Sequence, residues 1–233
     1  MVVPWLSLTI RPMIARSLGG LAELWTVCMA SSDSGSGEGT YFTRGSGLLE
    51  GTLARLRAER ANRLIPAEHR SGRILDIGCG RYPYFLAHTK FTQKFAIDQS
   101  PVSASPPDIS WMTLDLNRRP HLPFQDGFFQ VVTLLAVIEH LDPEGVVALF
   151  QECRRVLAPE GLVILTTPAA WSDRLLRLMA RLNLVSEEEI REHVYAYTLP
   201  LIGWYFGSAG FPMKRLRFGY FEMGLNMWAT ATK

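Results

Sequence analysis

The chain has 233 residues, 48% of them apolar and 20% charged, so it is long enough to bury a substantial core and has the balance of a soluble globular protein. Lys plus Arg number 24 against 22 Asp plus Glu, and the formal net charge of +2 argues against the broad basic field that nucleic-acid binding needs. Cys28, Cys79 and Cys153 are scattered and odd in number and the five histidines are dispersed, so neither a disulfide framework nor a local metal-ligand spacing is expected, and a reducing cytoplasm is the expected compartment.

No apolar run reaches the roughly 18 residues of a membrane-spanning helix. Met1 to Ile10 is apolar, but Arg11 and Arg16 follow the run, whereas a secretory signal carries its charge ahead of it. This start reads as a peripheral amphipathic segment, capable of weak membrane-surface contact, or as an extension outside the core fold. Residues 31–47 are rich in Ser and Gly and read as a flexible linker. The predicted division is an N-terminal extension and linker over residues 1–47 and one compact domain over residues 48–233.

Leu49 to Ile65 carries apolar residues at helical spacing and stops at Pro66, which predicts an amphipathic helix. Arg73-Ile-Leu-Asp-Ile77 predicts a strand, followed by a tight turn at Gly78-Cys-Gly80 and a helix whose first turn holds Pro83. Further strands are predicted over residues 94–98, 110–114 and 129–136, then a helix over 145–157 stopped by Pro159 and Gly161. A fifth strand follows at 162–167, helices at 172–184 and 199–209, and closing strands at 214–218 and 225–230. Apolar strands alternating with helices imply an α/β fold with a mostly parallel sheet covered on both faces. Ligands of such sheets bind at the carboxyl ends of the strands, near the point where the strand order reverses.

That rule directs attention to Ile74-Leu-Asp-Ile-Gly-Cys-Gly-Arg-Tyr-Pro-Tyr84. Gly78 and Gly80 let the chain turn sharply and let a ligand approach the backbone, while Asp76 offers an acceptor just before the turn. A dinucleotide fingerprint needs a third glycine where Pro83 stands, which counts against a nicotinamide-dependent oxidoreductase. The alternative pattern, an acid, a spacer and then Gly-x-Gly, is met by Asp76-Ile-Gly78-Cys-Gly80. Asp98 ends the second predicted strand, where a carboxylate can accept both hydroxyls of a ribose. Asp115 follows the third strand and can accept from a purine amine.

These pieces, in this order, resemble the core of the class I S-adenosylmethionine-dependent methyltransferases. The resemblance runs through Leu-Asp-Ile-Gly-Cys-Gly80, Ala-Ile-Asp98, Asp115-Leu116, Leu122-Pro-Phe-x-Asp126, Val137-Ile-Glu-His-Leu141 and Arg155-Val-Leu-x-Pro-x-Gly161. It implies a doubly wound, Rossmann-like, seven-stranded sheet, mostly parallel with the last strand antiparallel. It implies that S-adenosyl-L-methionine is the cofactor. Gly78, Cys79 and Gly80 would then line its methionine and ribose portion, and Asp98 would hold the ribose hydroxyls. Asp115 and Leu116 would contact the adenine, and Ala136 would face the sulfonium side. Tyr82 stands where many members carry a third glycine.

Two histidines are candidates for catalysis. His140 lies just beyond the fourth strand, and histidine as a residue type suits a general base; the competing role for Glu139 and His140 is to orient the local turn. His193 opens a His-Val-x-x-x-Thr-Leu phrase similar to one that borders the acceptor pocket in small-molecule methyltransferases. The small-RNA 3′-end methyltransferases ligate metal with Glu-x-x-Glu-His, but Ala136 occupies the first carboxylate position, so no metal site is expected. Arg174, Arg177 and Arg181 share one face of the helix predicted from Ser172, either as a solvated face or as a contact for an acidic or lipidic acceptor. The expected activity is methyl transfer to an O, N or C nucleophile of a small-molecule or lipid-like acceptor. The alternative outside enzyme chemistry is a cofactor-binding partner subunit without turnover.

Overall fold

In a computed structural model of the protein, residues 50–101, 106–117, 121–172 and 195–233 are described. The predicted extension and linker over residues 1–47, the helix predicted beyond Ser172 and His193 lie outside them. Helix α1 spans Glu50–Leu64. Ala54, Ala58, Ala61 and the following Ile65 recur every three or four residues and are all buried. Ala58, Ala61 and Ile65 of this stripe share one core cluster with Ile74, Val131 and Ile164 of the sheet and with Phe85 and Leu86.

Seven strands follow the predicted order: β1 (Arg73–Ile77), β2 (Gln93–Asp98), β3 (Ile109–Thr113), β4 (Phe129–Leu135), β5 (Leu157–Pro168), β6 (Leu216–Phe221) and β7 (Asn226–Thr232). They form one sheet in the order β3-β2-β1-β4-β5-β7-β6. Neighbours among β1 to β5 are parallel, and β7 runs antiparallel to both β5 and β6. The expected seven-stranded sheet with an antiparallel last strand is therefore the observed one. Central strands are buried on both faces, and their sequences, such as Phe129-Gln-Val-Val-Thr-Leu-Leu135, are near-continuous apolar runs for that reason.

Three more helices are described: α2 (Tyr84–Ala87), α3 (Pro143–Val156) and α4 (Leu199–Ser208). The connections β1–α2–β2 and β4–α3–β5 leave the sheet centre in opposite directions, so right-handed crossovers put α2 and α3 on opposite faces. Val146, Leu149, Phe150, Cys153 and Val156 form the buried stripe of α3, and Phe150 stacks on Phe206 of α4 with ring centres 4.4 Å apart. Arg155, at the end of α3, donates to the carbonyls of Leu122 and Phe124 and to the carboxylates of Glu152 and Asp126. It thereby fastens the Leu-Pro-Phe turn that feeds β4.

Two local details differ from the sequence expectation. Helix α2 is a single turn, and Pro83 stands one residue before it with the Tyr84 N–H bonded back to the Tyr82 carbonyl. Strand β5 starts at Leu157 rather than 162. Leu157 pairs with Phe129, the next register pair is Val131 with Leu162, and Ala158–Gly161 bulges between them with Glu160 at φ 61. Pro159 and Gly161 thus mark a bulge inside the strand.

Candidate functional site

Strand β1 has β2 on one side and β4 on the other, so the strand order reverses there and the carboxyl ends of β1, β2 and β4 open a crevice. The turn leaving β1 is held by the end of β2: the Gly78 and Cys79 N–H groups both donate to the Ile97 carbonyl, at 2.7 and 3.3 Å. Gly78 has φ +73, and a Cβ there would stand 2.5 Å from Cγ2 of Val137, in the turn that follows β4. Only glycine meets both conditions, and the close approach closes the floor of the crevice between the two turns.

Asp98 ends β2 and is almost fully buried. Its Oδ2 accepts the Gly80 N–H at 2.8 Å and its Oδ1 accepts the Ser100 N–H at 2.9 Å. Each carboxylate oxygen is thus oriented by one backbone donor before any ligand arrives. The Leu114 N–H donates to the Asp98 carbonyl and carries the chain past β3 to Asp115, whose Oδ1 accepts the Asn117 N–H at 3.0 Å. These elements enclose a cleft of about 320 Å³, at the lower end of the range for small-molecule sites. Its walls are Ile77 and Gly78 from β1 and its turn, Ile97, Asp98 and Gln99 from β2, Leu114 to Asn117 after β3, and Val137, His140 and Leu141 after β4.

Of the residues singled out in the sequence, Gly78, Asp98, Asp115, Leu116 and His140 meet in this cleft. Asp76, Cys79, Gly80 and Ala136 stand outside its wall. Asp76 is buried in the sheet, and its Oδ1 accepts the Thr133 hydroxyl at 2.6 Å. Cys79 is buried with its thiol donating to the Gly80 carbonyl at 3.4 Å, and Gly80 supports Asp98 from behind. Ala136 adopts φ 57, the left-handed region that L residues rarely occupy, and its N–H donates to the Thr166 carbonyl at 2.9 Å. The other residues of the wall, among them Gln99, Asn117, Val137 and Leu141, were not singled out as site residues, and each stands within two residues of one that was.

The chain matches the family described as methyltransferase domain over residues 49–215, well over half its length. The chain belongs to the class I S-adenosylmethionine-dependent methyltransferase family. As a methyltransferase of this fold it is similar to solved structures at low sequence identity. One is a SAM-dependent methyltransferase from Archaeoglobus fulgidus, at TM-score 0.60 and 16% identity over 77% of this chain and 94% of that one. Another is a SAM-dependent methyltransferase from Mesorhizobium loti, at 0.56 and 17% over 77% and 98%. A third is phosphoethanolamine N-methyltransferase 2 of Haemonchus contortus in complex with S-adenosyl-L-methionine, at 0.56 and 16% over 77% and 52%. No curated protein sequence gives a significant match.

In this methyltransferase the described residues contain no helix long and apolar enough to cross a membrane. Nor do the described residues group three His, Cys, Asp or Glu side chains as a metal site would require. In the 3-10 turn that follows β4, Glu139 is buried next to His140 in the chain, and its Oε2 accepts the Thr167 hydroxyl at 3.0 Å.

Proposed function

We propose that the crevice between the carboxyl ends of β1, β2 and β4 seats S-adenosylmethionine. On this reading the enzyme moves the methyl group to an O, N or C nucleophile of a small-molecule or lipid-like acceptor. Residues 48–233 form the catalytic domain, and residues 1–47 are an extension to it. The observation that carries the reading is Asp98: a buried carboxylate, aimed by two backbone N–H groups, lining a cleft at the topological switch point. Such an acceptor suits a vicinal diol, and a charge-assisted hydrogen bond contributes about 1.5–3 kcal/mol.

The remaining roles follow from position. Gly78 brings bare backbone to the cleft, and Gly80 and Cys79 hold the loop that supports it. Asp76 ties that loop's parent strand to β4 through Thr133. Asp115 and Leu116 form the adenine end, and the strained Ala136 marks the sulfonium end. When bound, S-adenosylmethionine supplies a methyl group already activated on a sulfonium. The protein's task is then to hold the acceptor in line, about 3–3.5 Å from that carbon, and to remove a proton where the acceptor carries one. His140 lines the cleft and is the residue proposed to accept that proton; His193 is the second candidate. An apolar acceptor is supported by the exposed Trp171 (60%) and Met223 (95%) at the carboxyl edge of β5 and β6.

Calorimetric titration with S-adenosylhomocysteine, the demethylated product, tests the reading. Wild type is expected to bind in the micromolar range. Asp98→Ala is expected to bind at least about tenfold more weakly, the equivalent of one charge-assisted hydrogen bond. A folded wild type that binds no S-adenosylhomocysteine would sink the proposal.

A further inference from the structure

The 3-10 turn Ile138–His140 that follows β4 has two sides. Val137, His140 and Leu141 face the cleft, whereas Ile138 and Glu139 are buried away from it, at 1% and 2% exposure. The turn is entered through the left-handed Ala136, and within it the His140 N–H donates to the Val137 carbonyl and the Leu141 N–H to the Ile138 carbonyl, both at 3.1 Å.

Two hydroxyls hold the buried side. Thr167, near the end of β5, donates to Glu139 Oε2 at 3.0 Å, and Tyr197 donates to the Ile138 carbonyl at 3.0 Å. Thr167 and Tyr197 are both 1% exposed, so water cannot substitute for either donor. Tyr197 is anchored in its turn: it forms a parallel bridge with Ala169, and its carbonyl accepts the Ala170 N–H at 3.1 Å. Burial, with the neighbouring Tyr205 and Glu139 adding to it, pushes the Tyr197 phenol above its usual range, so it keeps the proton it donates.

Each tether lies one residue from a cleft-facing side chain, Ile138 beside Val137 and Glu139 beside His140. Val137 is also the residue that closes on Gly78. We infer that Tyr197, Thr167 and Glu139 are positioning residues of the transferase. Their two hydrogen bonds set where Val137 and His140 stand in the cofactor cleft, and link that cleft to the chain beyond β5. The inference rests on the cofactor reading of the cleft given above.

The test uses the full chain as wild type, Tyr197→Phe, Thr167→Val and Thr167→Ser. S-adenosylhomocysteine is titrated calorimetrically well below the unfolding temperature of each, and thermal unfolding is recorded alongside. Tyr197→Phe and Thr167→Val each remove one hydroxyl and little volume, and each is expected to weaken binding about fivefold, the effect of one net hydrogen bond. Thr167→Ser keeps the hydroxyl and is expected to bind within about twofold of wild type. A merely structural role would lower the unfolding temperature of the valine and phenylalanine variants while leaving their affinity at the wild-type value, and that result overturns the inference. So does Thr167→Ser binding as weakly as Thr167→Val. Should Tyr197→Phe fail to fold, the valine and serine pair decides. A wild type that binds nothing overturns the cofactor reading and this inference together, whereas unchanged variants beside a binding wild type overturn this inference alone.

Discussion

At the scale of single residues the site depends on backbone that few side chains tolerate. Gly78 combines φ +73 with a neighbour 2.5 Å from where a Cβ would be. Gly78→Ala is expected to cost at least about 1–2 kcal/mol from the left-handed conformation alone. Displacement of Val137 adds to that cost and should distort the cleft floor. Urea denaturation beside S-adenosylhomocysteine titration checks this: stability and affinity should fall together. Unchanged affinity in a destabilised Gly78→Ala would mean that the floor is not part of the ligand site. Residues of this kind were legible in the sequence because Asp76-Ile-Gly78-Cys-Gly80 is followed in order by Asp98 and Asp115; the Gly-x-Gly alone would also fit a plain strand-to-helix turn. Asp76 was read from the same pattern, yet its carboxylate accepts the hydroxyl of Thr133, its register partner on β4, and nothing in the sequence fixes that register.

At the scale of elements the helix–turn junctions carry the electrostatics. Glu152 accepts from Arg155 and from the Leu122 N–H. Burial alone would raise its pKa, but those donors together outweigh it and hold the carboxyl below its ordinary value. With the folded pKa below the unfolded one, this contribution to stability is present above the usual carboxylate range and is lost as pH falls through the depressed value. Denaturation of wild type and Glu152→Gln from neutral to acidic pH should therefore show wild type ahead at neutrality and the gap closing toward acid. A gap that widens in acid would contradict the assignment. The Arg155 hub itself was legible only as a family phrase: its partners at Leu122, Phe124 and Asp126 lie about thirty residues away in sequence, beyond the reach of local periodicity. The bulge of β5 escaped for the same reason, since Leu157 belongs to the strand only through its pairing with Phe129.

At the scale of the whole molecule the alternation of apolar strands and helices made an α/β fold with a mostly parallel sheet legible, and the seven-stranded topology with an antiparallel last strand came only through the resemblance to the methyltransferase family. Which loops meet at the switch point follows from that topology, and so does most of the cleft wall. The tethers behind it did not, since hydroxyl-to-carbonyl bonds such as Tyr197 to Ile138 join segments 59 residues apart with no pattern of their own. The pH profile of the molecule also has a term opposing Glu152. Glu222, in the turn between β6 and β7, is raised by burial despite the attraction of Arg57 and the Asn226 hydrogen bond. A raised acid contributes stability below its unfolded pKa and loses it as pH rises through the folded one. Glu222→Gln should accordingly gain on wild type in thermal unfolding as pH rises above the ordinary carboxylate range, and a difference that stays constant with pH would refute the assignment. The strand order β5-β7-β6 has one more consequence. During synthesis the ribosome emits β6 before β7, yet among the described residues β6 pairs with β7 alone. The nascent chain must therefore hold β6 unpaired, with its apolar face open to aggregation or chaperones, until the strand that separates it from β5 has emerged.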